Sequence, residues 1–137
     1  LFSKITENPD IQYLQSIFRV EPSEYWKTHY RFAHESQKSL KGIGQKAIEG
    51  IIINTVVPFL FSYADMRGNQ IMKDKAVEIL EKLPAENNVI TRMWNEMGVA
   101  SESAFDSQAL IQLKKEYCDN RNCLRCRIGH KVLTIDS

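Results

Sequence analysis

Only three cysteines occur in 137 residues, too few for a secreted scaffold held together by disulfides. Net charge is nearly absent: 18 Lys and Arg stand against 17 Asp and Glu, a formal +1. That excludes a uniformly basic nucleic-acid binder. No apolar run reaches the about 20 residues a membrane span requires, and the longest, Ile51 to Phe61, contains Asn54 and Thr55. A membrane partner is therefore not expected. There is no repeat, no low-complexity tract and no obvious linker. No basic-then-apolar leader opens the chain, so a cytoplasmic location is expected. The start at Leu1-Phe2-Ser3-Lys4, without Met, reads as a C-terminal fragment of a longer protein. No Ser-His-Asp order, no paired carboxylates in a pocket-like context and no G-K-[ST] phosphate loop are found. No catalytic residue is assigned, and enzyme activity is not expected of this chain alone.

What is present is helical spacing of apolar residues almost throughout, at a length that suits one domain. Pro9-Asp10 opens a stripe of Ile11, Leu14, Ile17 and Phe18. Ser23 is placed to cap a second helix whose buried face would be Tyr25, Trp26, His29, Tyr30 and Ala33. A long helix runs from about Gln45 to Met66, with a kink or break expected at Pro58, which lacks an N–H and crowds the Asn54 carbonyl. The β-branched Ile51–Val57 run also permits a strand, but its neighbours offer nothing to pair with. Asn54, a polar amide amid apolar residues, would need partners in the core. Met72, Ala76, Ile79, Leu80 and Leu83 line a further helix ended by Pro84. Val89, Ile90, Met93, Trp94 and Met97 line another, closed by Gly98. Ser101 or Ser103 caps a stripe of Phe105, Ala109, Leu110, Leu113 and Tyr117. Cys123 to Leu133 forms a short last helix. The expectation is an all-α fold, a single globular bundle of six to seven helices around a central apolar helix.

Charge is unevenly spread. Lys114 to Lys131 holds six cations and two anions, and Lys38 to Lys46 holds three lysines and no acid. The rest of the chain carries 9 cations and 15 anions. Two basic patches on an acidic body suit an anionic partner such as nucleic acid, with Lys38, Lys41, Lys46, Arg121, Arg125, Arg127 and Lys131 as contacts. The plain alternative is two solvated surfaces that never converge. There is no exposed aromatic run for base stacking.

Leu40-Lys41-Gly42-Ile43-Gly44-Gln45-Lys46-Ala47 resembles the hairpin of the helix-hairpin-helix motif. Gly42 and Gly44 would let backbone N–H groups approach a phosphate ahead of a helix N-terminus. Lys46 matches the position of the catalytic lysine in DNA glycosylases of that type. Their aspartate would correspond to Asp65, displaced by one residue. The three cysteines and the short chain depart from that family's pattern. A simpler reading is that Gly42 and Gly44 end one helix and start another.

Cys118, Cys123, Cys126 and His130 have spacing suited to a metal. Three sulfurs and an imidazole would make a tetrahedral, structural zinc set. Cys123-x-x-Cys126 beside Arg125 and Arg127 also suits a redox pair with a lowered thiol pKa. Three reduced, partly buried cysteines are the plain alternative.

Several motifs together resemble a known family. They are Tyr25-Trp26-x2-His29-Tyr30-x-Phe32, Ile53-Asn54-Thr55-Val56-Val57-Pro58-x-Leu60-Phe61-x-Tyr63, Leu83-Pro84-Ala85-Glu86-x-Asn88, Asp106 to Leu113, and Tyr117-Cys118-x4-Cys123-Leu124-x-Cys126-x-Ile128-Gly129. They are similar to the C-terminal part of an uncharacterised bacterial family typical of Bacteroidetes, domain-of-unknown-function family 2851. The resemblance transfers no catalytic residue. The family's N-terminal part is similar to restriction-endonuclease-like folds, which implies a helical accessory domain of a nucleic-acid-associated protein. The other class of function is a structural or interaction domain that docks on the remainder of its own chain.

Overall fold

The computed structural model describes residues 1–37 and 42–134. The fold is predominantly all-α, with a single two-stranded hairpin among the described residues. The chain divides into two compact units, Leu1–Ile79 and Leu80–Ser137.

In the first unit, α1 (Phe2–Glu7) and α2 (Ile11–Phe18) precede a short α3 (Glu24–Thr28). Asp10 starts α2 by accepting from the N–H groups of Gln12 at 2.9 Å and Tyr13 at 3.1 Å. This satisfies two donors that a helix start leaves unpaired. Leu14 is fully buried.

The expected second helix is cut short. Ser23 holds the cap position without a side-chain bond, and α3 ends at Thr28. β1 (His29–Arg31) and β2 (His34–Glu35) follow as an irregular antiparallel hairpin. Ala33 turns it at φ +61°, and its N–H donates to the Tyr25 hydroxyl at 3.1 Å. The expected stripe is therefore corrected: Tyr30 is 71% exposed. His29 instead stacks on Tyr25 with centroids 4.0 Å apart, and Phe32 meets Trp26 edge-on at 5.0 Å. Folding the strand back keeps the rings of Tyr25, Trp26, His29 and Phe32 in one local cluster.

The central helix is continuous over Gln45–Met66. α4 (Gln45–Ile51) passes through a π-helical stretch (Ile52–Val56) into α5 (Val57–Met66). The strand alternative does not hold. Pro58 does not break the helix; the turns just before it widen, and the Val57 N–H reaches back to the Ile52 carbonyl. That widening relieves the crowding a proline ring imposes on the preceding turn. Asn54 is also corrected: it is exposed, and its amide donates to the Gly50 carbonyl at 3.1 Å. By length and composition this helix passes as a membrane span, with mean hydropathy 1.5. Its buried positions, Ile48, Ile52, Ile53, Val56, Val57, Leu60 and Ala64, make one stripe at helical spacing within the unit. The helix ends at Gly68, φ +62°, with the Asn69 N–H on the Ala64 carbonyl at 2.9 Å.

α6 (Gln70–Lys82) begins in the first unit and ends in the second. Ala76, Ile79 and Leu83 are buried as expected, and Pro84 follows the helix end. In the second unit, α7 (Val89–Glu96) carries a capping box between Asn88 and Thr91. α8 (Ala104–Gln112) carries one between Ser103 and Asp106. The buried face of α8 is Ala104 and Ser107, while the expected Phe105 and Ala109 are exposed. A polar core position explains the shift. The Ser107 hydroxyl accepts from the Glu86 N–H at 3.1 Å and donates to the Ala104 carbonyl at 3.0 Å. Trp94 donates its indole N–H to the Leu110 carbonyl at 3.1 Å.

α8 continues as a π-helical stretch (Leu113–Cys118). A 3₁₀ turn (Cys123–Arg125) and α9 (Arg127–Thr134) follow. The last helix is thus split at Cys126, which is buried in an extended conformation at φ −85°, ψ 127°.

Candidate functional site

The basic residues divide between the two units. Lys38 and Lys41 lie outside the described residues. Gly42 precedes the central helix and Gly44 is its N-cap residue, in extended conformation at φ −70°, ψ 155°. A Cβ at Gly44 would meet nothing within 4 Å, and one at Gly42 only the Val20 carbonyl at 3.6 Å. Neither glycine is demanded by packing. Lys46 is exposed in the first turn of α4. Asp65, the partner of the glycosylase analogy, lies 19 positions along the same continuous helix, about 28 Å away by helical rise. Asp65 pairs with Lys73 instead. That arrangement excludes a Lys46–Asp65 reaction centre within the chain.

The second unit gathers the other cations on a short path. Arg121, Arg125, Arg127 and Lys131 are all exposed. No carboxylate among the described residues pairs with any of them. Lys114 differs: it is neutralised by Asp119. Arg121 sits at the end of the π-helical stretch with φ +53°. The Asn122 N–H closes that end on the Tyr117 carbonyl at 2.9 Å. Three side-chain amide bonds hold the widened turn. Asn120 donates to the carbonyls of Lys115 at 2.9 Å and Glu116 at 3.2 Å, and Asn122 also reaches the Glu116 carbonyl at 3.2 Å.

This turn opens a cleft of about 350 Å³ lined by Gln112, Glu116, Tyr117, Asn122 and Arg125. Of these, only Arg125 stands out from sequence. Tyr117 falls at core spacing and is half-buried. The available signal was the dense run Asp119-Asn120-Arg121-Asn122, which places carbonyl-capping amides directly after a helix.

Cys118, Cys123, Cys126 and His130 are not brought together. Cys118 and Cys123 are exposed, Cys126 is buried, and His130 is exposed. Among the described residues no three His, Cys, Asp or Glu side chains are gathered so as to hold a metal. The buried position of Cys126 sets it apart from the exposed Cys118, Cys123 and His130. His130 follows Cys126 by one helical turn, with its N–H on the Cys126 carbonyl at 2.7 Å, and the Cys123 backbone packs on Gly129 of the same helix.

Electrostatics elsewhere are structural. In the α8 cap, the Ser103 hydroxyl and the N–H groups of Glu102 and Ser103 hold the Asp106 carboxyl below its ordinary value. In α3, a hydrogen bond from Lys27 to Glu24 at 2.6 Å raises the ammonium above its ordinary value.

Fold and surface together define a predominantly helical protein with an exposed basic segment in its second unit. The chain belongs to the family described as "Protein of unknown function (DUF2851)", whose family model matches residues 1–89. The match takes in the hairpin and the central helix and stops before the basic segment. No curated protein and no solved structure matches the chain.

Proposed function

We propose that this chain is a helical accessory module that contacts the phosphate backbone of nucleic acid. The observation that carries the reading is the exposed set Arg121, Arg125, Arg127 and Lys131 within one compact unit, none of which pairs with a carboxylate among the described residues. Exposed cations with no internal partner interact with a polyanion without first breaking an ion pair. Phosphate contact positions a protein on nucleic acid and carries no sequence information, so the module contributes placement and not chemistry. Lys46, with Gly42 and Gly44 ahead of it, adds a second contact on the first unit. Lys38 and Lys41 belong to that contact by sequence.

The test is fluorescence anisotropy of a labelled DNA duplex over a salt series, with Arg125→Ala and Lys46→Ala beside the parent protein. Binding is expected to weaken steeply with salt. Each variant is expected to lower the log–log slope by about one. No binding at low salt would remove the reading.

A second reading has its own observation. Ile128 and Val132, one turn apart on α9, are 62% and 61% exposed, with Leu133 beside them at 54%. An apolar stripe of this kind marks an interaction surface. Its occupant would be the remainder of the protein's own chain, and the module would then be a structural docking domain. Duplex binding that is absent while Ile128→Glu abolishes association with that remainder would decide for this reading.

A further inference from the structure

The cleft beside Arg125 has features that backbone contact does not use. It lies in the second unit, between the π-helical stretch Leu113–Cys118 and the 3₁₀ turn Cys123–Arg125. Its volume, about 350 Å³, is within the about 300–1,000 Å³ range of small-ligand sites. The lining is chemically mixed: one aromatic ring, Tyr117, two primary amides, Gln112 and Asn122, one carboxylate, Glu116, and one guanidinium, Arg125. Widened helical turns are rare and concentrate at functional sites. Here the widening is maintained by Asn120 and Asn122, which hold the carbonyls of Lys115 and Glu116.

A backbone-only surface needs cations and nothing else. A ring, amides and a carboxylate beside an unpaired arginine are the groups that read an unstacked base. The ring offers a stacking face, the amides and carboxylate offer edge hydrogen bonds, and the arginine holds the adjoining phosphate. A base within a duplex is already stacked and paired, so it cannot enter the cleft without being extruded. The carboxylate also discriminates among bases. It only accepts hydrogen bonds, so it favours a base with an exocyclic amino group over thymine or uracil, whose exocyclic groups on that edge are acceptors.

We infer that the Gln112–Glu116–Tyr117–Asn122–Arg125 cleft binds one unpaired, amino-bearing base of a single-stranded nucleic acid. The inference rests on the proposed backbone contact and names the form of nucleic acid that contact serves. The module then belongs at single-stranded stretches, ends or loops, not along uninterrupted duplex.

The experiment compares oligo(dC), oligo(dT) and a duplex of equal phosphate number by anisotropy at fixed salt. A single-stranded probe carrying one 2-aminopurine reports stacking by fluorescence quenching. The expected result is tighter binding of oligo(dC) than of the other two, with quenching on binding. Tyr117→Ala is expected to weaken single-strand binding about tenfold while leaving duplex binding in place. Glu116→Gln, an exposed and nearly isosteric change, keeps the fold and is expected to erase the preference for oligo(dC) over oligo(dT). Salt-dependent binding that is equal for all three probes, without quenching, would overturn the base cleft and leave the backbone reading standing. Unaltered selectivity in Glu116→Gln would likewise overturn it. Absence of binding to every probe at low salt would overturn both.

Discussion

Gly129 in α9 lies so close to Cys123 that a Cβ built on it would sit 2.5 Å from the Cys123 carbonyl oxygen. Backbone meets backbone at this point, and it anchors α9 to the turn before it. Alanine is normally the better helix residue by about 1 kcal/mol. Here the obstruction is main chain and cannot rotate away. Gly129→Ala is expected to lose about 1–3 kcal/mol through overpacking. A urea titration followed by circular dichroism checks this, and a midpoint unchanged or raised would contradict the packing.

Arg121 makes the opposite case. It closes a helical end with φ +53°, a place glycine occupies without steric cost. Arg121→Gly is expected to raise stability by about 0.5–1 kcal/mol, the left-handed penalty less the added freedom of the unfolded chain. The same variant removes a phosphate contact. Thermal unfolding should improve while nucleic-acid binding weakens, and a parallel fall of both would show the site is distorted instead.

The α8 cap carries a pH dependence. Hydrogen bonds from Ser103 and the Glu102 and Ser103 N–H groups hold Asp106 below its ordinary value of 3.8. A carboxyl with a depressed folded value contributes stability above its unfolded value and loses it as pH falls through the folded one. Asp106→Asn is therefore expected to flatten the decline in stability below about pH 4. Melting temperatures of the parent and variant between pH 6 and pH 2.5, taken in one buffer series, make the comparison. Curves of identical shape would mean that Asp106 is not the titrating group.

The central helix rests on its buried stripe. Leu60 is fully buried, and Leu60→Ala is expected to cost about 2–5 kcal/mol, the transfer term plus the cavity left behind. Phe61, one position on, is 44% exposed, and Phe61→Ala is expected to cost clearly less. Equal losses at the two positions would mean the helix presents a different face from the one described.

Where local chemistry was sufficient, the elements were legible from sequence. Asp10 and Ser103 cap helices because their side chains reach N–H groups two or three residues on, whatever the rest of the chain does. Pro84 and Gly98 end helices for equally local reasons. The second helix instead stops at Thr28, where the chain turns into the hairpin His29–Glu35. Nothing in a 3.6-residue period announces that the helix will stop at Thr28 or that Ala33 will turn at positive φ.

The candidate site divides the same way. Its cations are evident in composition alone. The cysteine spacing suggested a metal, but Cys126 is buried while Cys118, Cys123 and His130 are exposed, and among the described residues no three such side chains gather to hold one. Tyr117 read as core because spacing reports a face and not what that face meets. The turn that turns Tyr117 toward a cleft is held by amide-to-carbonyl bonds from Asn120 and Asn122.

The sequence by itself determined the helical class, the caps and stops, the position of the central helix and the clustering of basic residues. Each of these depends on neighbours within a few positions along the chain. Only the tertiary structure decided which side of each helix is buried, that Asn54 meets solvent, that no three of the candidate ligands gather and that a polar cleft opens beside Arg125. The buried faces depend on packing between residues distant in sequence, and the cleft on side-chain bonds from Asn120 and Asn122 to backbone carbonyls, neither of which an apolar period encodes.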